Sequence, residues 1–219
     1  MTDFITFILP TYNEEENIIS LINEILIFNK KYQIEIIVVD DNSKDKTQSL
    51  VREFSRNDRR IRLINRVGRY GLSSAIKEGS LNSTGEIIAV MDSDGQHEVK
   101  SVYKFIERLL NSDNALIVGS RFAIGSSISG LSKKRKSGSN LANSLARLTL
   151  HRNYKEISDF MSGCFVFRRS LCIRYLEKID VSGFKFLYEL FSISKGKLKV
   201  DELSLNFKPR KYGYSKLDY

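Results

Sequence analysis

The sequence predicts an α/β protein with a mostly parallel, doubly wound central sheet. Short apolar runs that suit strands alternate five times with segments that suit helices, between Phe4 and Val118. Strands that alternate with helices pair in parallel, because each helix carries the chain back to the starting edge of the sheet. We find no internal repeat and no low-complexity tract in this order. The carboxyl ends of the strands should therefore gather at one edge.

The strands are recognised as compact apolar runs, the first of which is closed by Pro10. They are expected at residues 4–9, 34–39, 61–64, 87–91, 115–118, 162–167 and 198–207. Helices are expected where apolar residues recur on one helical face. They cover residues 14–31, 71–81, 99–110, 140–151 and 184–193, and another starts near Asp45 with Asn42 or Ser43 as its cap. Residues 124–138 are rich in Ser and Gly and predict a mobile loop.

Charge is the unusual feature of the composition. The 219 residues include 35 Lys and Arg against 26 Asp and Glu, which gives a net charge of +9. Residues 114–155 contain no acid but eight basic residues, namely Arg121, Lys133, Lys134, Arg135, Lys136, Arg147, Arg152 and Lys155. Such a region should contact an anion: phosphate, an acidic membrane surface or nucleic acid. No nucleic acid partner is expected, because no aromatics interleave with the basic run and no known binding module is present.

The sequence also predicts where the protein works. Cys164 and Cys172 have no second pair and no nearby histidine cluster, so neither a disulfide framework nor a zinc site is indicated. The N-terminus passes straight into a strand, which argues against a signal peptide. No apolar run approaches the roughly 18 residues that span a bilayer. We expect a cytoplasmic protein whose membrane contact is peripheral, on the cytoplasmic face, or supplied by a separate membrane subunit.

The stretch 87–97 is the most informative part of the sequence. Its apolar strand ends in Asp92-Ser93-Asp94-Gly95-Gln96-His97. Open α/β sheets bind ligands at the carboxyl ends of their strands. Hard oxygen ligands at such an end suit a divalent cation that also holds phosphate oxygens. Residues 92–95 suit a tight turn equally well, because Asp and Gly both favour turns. By themselves they are therefore compatible with either a turn or a metal–nucleotide site.

The ordered motifs of the chain resemble those of family-two glycosyltransferases of the GT-A fold. They are Pro10-Thr11-Tyr12-Asn13-Glu14, Val39-Asp40-Asp41-Asn42-Ser43 and Asp92-Ser93-Asp94-Gly95-Gln96-His97. The second half narrows the resemblance to dolichol-phosphate (polyprenyl-phosphate) mannosyltransferases, through Gly119-Ser120-Arg121, Asp159-Phe160-Met161-Ser162-Gly163-Cys164-Phe165, Gly183-Phe184-Lys185, and Arg210 with Gly213-Tyr214-Ser215-Lys216-Leu217. Each motif alone is weak evidence for the family, but the ordered set is strong evidence. Beside the other motifs, a metal–nucleotide site is favoured over a simple turn for residues 92–95.

The resemblance implies a GT-A (Rossmann-like) α/β/α sandwich that forms a single domain over residues 1–219. Its nucleotide-sugar half would cover about 1–121 and its acceptor-side half about 122–219. The nucleotide sugar would be bound by Pro10, Tyr12, Glu14, Val39, Asp41, Asp92, Ser93, Asp94, Arg121, Arg210 and Lys216. Asp94 and Gln96 match ligands of Mg²⁺ or Mn²⁺, and Arg135 and Ser139 match the acceptor-phosphate positions. The expected catalytic residues are Asp92, Asp94 and Arg121, while Asp159 is left between a capping and a catalytic role.

The activity implied by the resemblance is a metal-dependent, inverting transfer of a hexose to a polyprenyl or dolichyl phosphate at the membrane surface. Mannose from GDP-mannose is favoured. Two alternatives stay open: a transferase that uses a UDP-sugar (glucose or N-acetylhexosamine) or a non-lipid acceptor, and an inactive nucleotide-binding subunit. Many bacterial relatives continue into transmembrane helices, whereas this sequence ends at Tyr219. That favours a form that docks on the membrane, a form with a separate membrane subunit, or a fragment. Residues 133–136 and the amphipathic segment after them are a hypothetical membrane contact.

Overall fold

The computed structural model describes residues 3–29, 31–68, 70–126, 133–180, 185–210 and 212–213, with the main chain alone for 133–137 and 140. Within these residues, seven strands form one sheet in the order β3-β2-β1-β4-β6-β5-β7. The strands are β1 Phe4–Thr11, β2 Gln33–Asp40, β3 Ile61–Asn65, β4 Ile87–Val90, β5 Leu116–Ser120, β6 Phe165–Arg168 and β7 Val200–Ser204. Only β6 runs antiparallel to its neighbours, β4 and β5. The predicted α/β fold with a mostly parallel sheet is confirmed.

The helices cover both faces of this sheet. They are α1 Ile18–Phe28, α2 Thr47–Asn57, α3 Leu72–Leu81, α4 Val99–Leu110, α5 Lys133–Thr149, α6 Arg169–Leu176 and α7 Phe186–Ser194. No helix among the described residues has both the length and the apolar character that crossing a membrane requires.

Three local predictions were wrong or incomplete. The loop expected over 124–138 is helical from Lys133 onward, because Lys and Arg favour helices and outweigh the Gly and Ser that suggested a loop. Helix α6 was not expected at all. Neither Asn42 nor Ser43 caps α2, whose N-cap position is Lys46. The hydroxyl of Ser43 is instead bonded to Asp40, at 2.5 Å.

The core lies in two layers because side chains alternate across the sheet. Ile5, Phe7 and Leu9 of β1 pack with α1, α2 and α4 on one face. Ile8 of the same strand packs on the other face, with α3, α5, α6 and α7. The parallel strands are thus buried on both sides, which explains their continuous apolar runs.

A buried carboxylate on β2 bonds to side chains of β1 and β3, away from the carboxyl ends of the strands. Glu35 of β2 accepts hydrogen bonds from the Thr6 hydroxyl at 2.7 Å and from the Thr84 amide and hydroxyl at 2.6 and 2.8 Å. Arg62 pairs with its second oxygen at 3.1 Å. Burial works against the charge of Glu35, but these donors outweigh it and lower the pKa of the carboxyl below its ordinary value. Glu35 therefore stabilises the fold most when it is ionised.

We predict that Glu35→Gln lowers the free energy of unfolding by about 1–3 kcal/mol at pH 7, because an amide leaves Arg62 or a threonine donor without its acceptor. The deficit should shrink as the pH falls through the depressed pKa of Glu35, where the wild-type carboxyl is protonated as well. Urea unfolding at neutral and acidic pH measures both effects.

Glu53→Gln is the matched control, since Glu53 is exposed on α2. It should change stability by no more than about 0.5 kcal/mol. A Glu35→Gln deficit that is the same at every pH would contradict the assigned role of the carboxylate.

Candidate active site

The loops after β1 and β2 lie side by side at the carboxyl edge of the sheet and are bonded to each other. The Asn13 amide donates to the Ser43 hydroxyl and the Lys44 amide donates to the Asn13 side chain, both at 2.8 Å. The Glu14 amide donates to Thr47 at 2.9 Å. These cross-bonds fix the segment that carries Tyr12 and Glu14. Tyr12 is half-buried there, and Glu14 is buried.

The loop after β4 is attached to the end of β1 through Ser93. Its hydroxyl lies 2.8 Å from the Thr11 hydroxyl and donates to the Pro10 carbonyl. Ser93 is 3% exposed, so its side chain serves the structure of the loop. The two aspartates on either side of it are thereby held beside the β1 loop.

Arg210 joins two carboxylates that are far apart in the sequence. Its guanidinium lies 2.6 Å from Asp94 Oδ2 and 3.2 Å from Glu14 Oε1. The segment 205–210 that carries Arg210 is docked by reciprocal bonds of 2.9 Å between Gln96 and the main chain of Lys208. The structure therefore brings Glu14, Asp94, Gln96 and Arg210, all of them predicted site residues, into one cluster.

Arg121 lies beside this cluster in a bidentate pair with Asp159. The Nε and Nη2 atoms are 2.7 and 2.8 Å from the two carboxylate oxygens. Asp159 is wholly buried. Burial opposes the charge of Arg121, but Asp159, helped by Asp92, raises the pKa of the guanidinium above its ordinary value. Asp159 is thus placed as the counter-ion of Arg121.

Asp92 lies against a glycine that leaves room for its carboxylate. A Cβ at Gly163 would lie 2.6 Å from Asp92 Oδ2. Burial and the neighbouring Asp94 raise the pKa of Asp92 well above its ordinary value, while Arg121 and Arg210 lower it. His97 beneath this loop accepts the Asp92 amide at 3.2 Å, and burial lowers the pKa of its imidazole to about 4. His97 is therefore neutral near pH 7.

Asp41 is held by a partner that sequence reasoning missed. Arg66, directly after β3, lies 2.8 Å from its carboxylate, and the Tyr70 and Gly71 amides donate to it at 2.9 Å. Arg66 also borders a cavity of about 370 Å³ whose other lining residues are Asn65, Val67, Tyr70, Ser74 and Glu78. An arginine that directly follows a strand at the ligand-binding edge is the signal that would have found it.

Four predicted positions contribute less to this cluster or lie outside it. The Val39 side chain is fully buried in the core, so a nucleotide contact there would have to come from the main chain. Ser139 is half-buried on α5, and the side chain of Arg135 on the same helix is not among those described. Lys216 lies outside the described residues.

The residues present fit a hard divalent cation. Asp94 and Gln96 share one turn, in which the Gln96 amide donates to Asp94 Oδ1 at 3.0 Å. The charges of Asp94 and Glu14 both raise the pKa of Asp92, so the three carboxylates lie near one another. A bound cation would offset the negative charge that they share. Among the described residues there is no group of three or more His, Cys, Asp or Glu that could hold a metal. Mg²⁺ is commonly held by one or two carboxylates together with substrate phosphates.

Comparison with known proteins identifies relatives over most of the chain. The family model described as Glycosyl transferase family 2 matches residues 6–176. A dolichol-phosphate mannosyltransferase of Pyrococcus furiosus is 34% identical over an alignment 216 residues long, which covers 97% of this chain and 59% of that protein. A polyprenol monophosphomannose synthase of Mycolicibacterium smegmatis is 31% identical over an alignment 224 residues long, which covers 96% of this chain and 79% of that protein. The chain thus spans 59% of the length of the Pyrococcus relative.

A solved structure shares the fold. It is glucosyl-3-phosphoglycerate synthase from Mycobacterium tuberculosis in complex with Mn²⁺, UDP and glucosyl-3-phosphoglycerate. The TM-score is 0.73 at 19% identity, over 99% of this chain and 74% of that one.

We predict that Gly163→Ala weakens ligand binding at the site with little loss of stability. The new methyl group would displace the Asp92 carboxylate, which can rotate away because it is the end of a side chain. The midpoint of thermal unfolding should change by a few degrees at most, whereas calorimetry should show about tenfold weaker binding of a nucleoside diphosphate with Mn²⁺.

Gly138→Ala is the control, because a Cβ at Gly138 would meet nothing within 4 Å. It should bind as the wild type does and be slightly more stable, since alanine favours a helix. Unchanged binding in Gly163→Ala would show that the position of Asp92 does not matter for the ligand.

Proposed function

Because the chain belongs to glycosyl transferase family 2, we propose that it transfers a hexose, mannose from GDP-mannose, to a polyprenyl or dolichyl phosphate. The observation that carries this proposal is the cluster of Glu14, Asp92, Asp94, Arg121 and Arg210 at the strand ends. The names of the two relatives support the sugar and the lipid acceptor. We further propose one catalytic domain, with a nucleotide-sugar half at 1–121 and an acceptor-side half at 122–219.

The chemistry follows from the charges of the reactants. An oxygen of the acceptor phosphate forms a bond to the anomeric carbon, and the bond from that carbon to the diphosphate breaks, so the nucleoside diphosphate leaves with the electron pair. The acceptor is already an anion near neutral pH, which makes a general base unnecessary. Attack from the face opposite the leaving group inverts the anomeric carbon.

The protein residues act by charge and position. Arg121, Arg210 and Lys216 would each place a fixed positive charge beside the phosphates. Such charges stabilise a developing negative charge most strongly where water is excluded. Tyr12 and Glu14 would contact the nucleotide, and Arg135 and Ser139 of α5 the acceptor phosphate. A Mg²⁺ or Mn²⁺ ion on Asp94 and Gln96 would supply further positive charge for the departing diphosphate.

A UDP-sugar donor is the second candidate. The structural neighbour from M. tuberculosis contains UDP and Mn²⁺ in a similar fold. The carboxylate of Asp41, a proposed nucleotide contact, is bonded to Arg66 and to the Tyr70 and Gly71 amides, and these bonds by themselves favour neither guanine nor uracil. The donor is therefore decided by the assay below.

We propose that helix α5 contacts the cytoplasmic face of a membrane. Leu141, Leu145 and Leu148 recur at helical spacing and are 64%, 56% and 83% exposed. The same helix begins with the basic run of residues 133–136. An apolar stripe next to basic residues suits the interface of a bilayer that contains anionic lipid.

We predict that the wild type makes a glycolipid from radiolabelled GDP-mannose and polyprenyl phosphate with Mg²⁺ but not with EDTA. Asp94→Ala should lower this rate by about 100-fold or more, because it removes a metal ligand and the partner of Arg210. UDP-glucose and UDP-N-acetylglucosamine are tested in parallel.

Asp113→Ala is the matched control, since Asp113 is an exposed carboxylate that pairs with Lys199 on the surface. It should transfer sugar at the wild-type rate. If a nucleotide binds but no donor yields glycolipid, the lipid phosphate acceptor is wrong.

We predict that replacing Leu141, Leu145 and Leu148 by Gln weakens binding to phosphatidylglycerol vesicles by about tenfold or more, because a buried leucine contributes on the order of 1 kcal/mol. Stability should not fall, since all three side chains are exposed. Charge reversal of residues 133–136 should also weaken binding, in a salt-dependent way.

Ile27→Gln serves as the control, because Ile27 is 74% exposed on α1, away from the basic run. It should leave vesicle binding unchanged. Vesicle binding of the triple variant that equals the wild type would remove α5 as the contact.

A further inference from the structure

The segment 158–160, which presents Asp159 to Arg121, is held by side chains from two other elements. Glu202 of β7 accepts hydrogen bonds from the Ser158 and Asp159 amides at 2.9 and 3.0 Å. Asn143 of α5 accepts the Phe160 amide at 2.9 Å. Three consecutive main-chain donors are thus bound by side chains outside any strand ladder. This arrangement fixes the main chain at Asp159 more firmly than an ordinary loop.

A chain of hydroxyl groups connects the same carboxylate to the other side of Arg121. The Ser158 hydroxyl donates to Glu202 Oε2 at 2.8 Å, so it must accept from the Ser120 hydroxyl, 2.7 Å away. Ser120 in turn accepts the Phe122 and Ala123 amides at 3.0 Å. The direction of both protons is therefore set by the charge of Glu202.

Arg121 sits between these two anchored segments. Its guanidinium is bound along one edge by Asp159, and its own amide donates to Asp159 at 3.2 Å. The rings of Phe122 and Phe207 lie 5.6 and 6.0 Å from it. Within the described part of the chain, Nη1 makes no hydrogen bond, so that end of the guanidinium is available to an anion.

We propose that Glu202 is a positioning residue that holds Arg121 in place for the reaction, acting through Ser158, Asp159 and Ser120. This inference rests on the proposed function, in which Arg121 faces the departing diphosphate. In this proposal Glu202 acts only through its bonds to Ser158 and Asp159 and not by contact with a reactant. Since the diphosphate gains charge as it leaves, a misplaced Arg121 should affect turnover more than donor binding.

The test is a double-mutant cycle of Glu202→Gln and Arg121→Ala in the sugar-transfer assay. Glutamine has the same shape as glutamate, but its NH₂ group is a hydrogen-bond donor. It would meet the three donors that Glu202 accepts, which are the Ser158 amide, the Ser158 hydroxyl and the Asp159 amide. We expect kcat to fall about tenfold or more with a smaller change in donor KM. In the Arg121→Ala background, the same change at Glu202 should have almost no further effect. Equal effects in both backgrounds would overturn the proposal.

Asp201→Asn is the matched control, because Asp201 is the adjacent acid on β7 and pairs with Arg108 at the surface. Asparagine keeps the Oδ1 atom that accepts the Glu202 amide at 2.9 Å. It should leave kcat unchanged. Thermal unfolding of all variants separates the loss of folded protein from the loss of turnover per folded molecule.

A second measurement does not depend on the reaction. In ¹⁵N spectra, the Nε–H signal of Arg121 should shift and exchange faster with water in Glu202→Gln but not in Asp201→Asn. If the wild type transfers no sugar and this signal still changes, the proposed function fails and the positioning role stands. If Glu202→Gln leaves the signal and kcat as in the wild type, the positioning role fails.

Discussion

The close approach of carboxylates at the carboxyl edge of the sheet is the constraint on which the site depends. Glu14 and Asp94 come from loops after different strands, and their like charges repel one another. Arg210 offsets that repulsion by binding both. Because Arg210 lies near the far end of the chain, the two carboxylates share this counter-charge only when the segment 205–210 is docked beside the loops after β1 and β4.

The same solution recurs at two further places. Arg66 is buried against Asp41, and Arg121 against Asp159. Burying two charges costs solvation free energy, which their attraction repays only when hydrogen bonds satisfy the remaining polar atoms. Amides of residues 70, 71 and 161 supply such bonds to these two carboxylates. The site is therefore a set of paired charges, and hydrogen bonds from the surrounding main chain hold the pairs of Asp41 and Asp159 in place.

The hydrogen bonds around Arg121 also connect helix α5 with the edge strand β7. Asn143 lies on α5, the helix with the basic run and the exposed leucines, and it bonds the segment that carries Asp159. Glu202 bonds that segment from the edge strand β7. An anionic ligand at α5 and one at Arg121 would thus share a rigid frame, which suits a reaction between two anions that must meet in a fixed orientation.

The α/β class, the seven strands of the described sheet to within a few residues, and the motifs that end the strands could all be predicted from the amino-acid sequence. Burial on both faces of the sheet and the alternation of strands with helices leave local signals that make this possible. The resemblance of the sequence to a family also predicted Glu14, Asp94, Gln96 and Arg210 as site residues, and the structure places these four near one another. Sequence reasoning missed α6, the helical start of α5, Arg66 and the roles of Gly163 and Glu202. The last three depend on contacts between residues far apart in the chain: Arg66 with Asp41, Gly163 with Asp92, and Glu202 with Ser158 and Asp159. Periodicity and spacing report a residue's own segment, whereas close approach and shared hydrogen bonds are set by how segments pack.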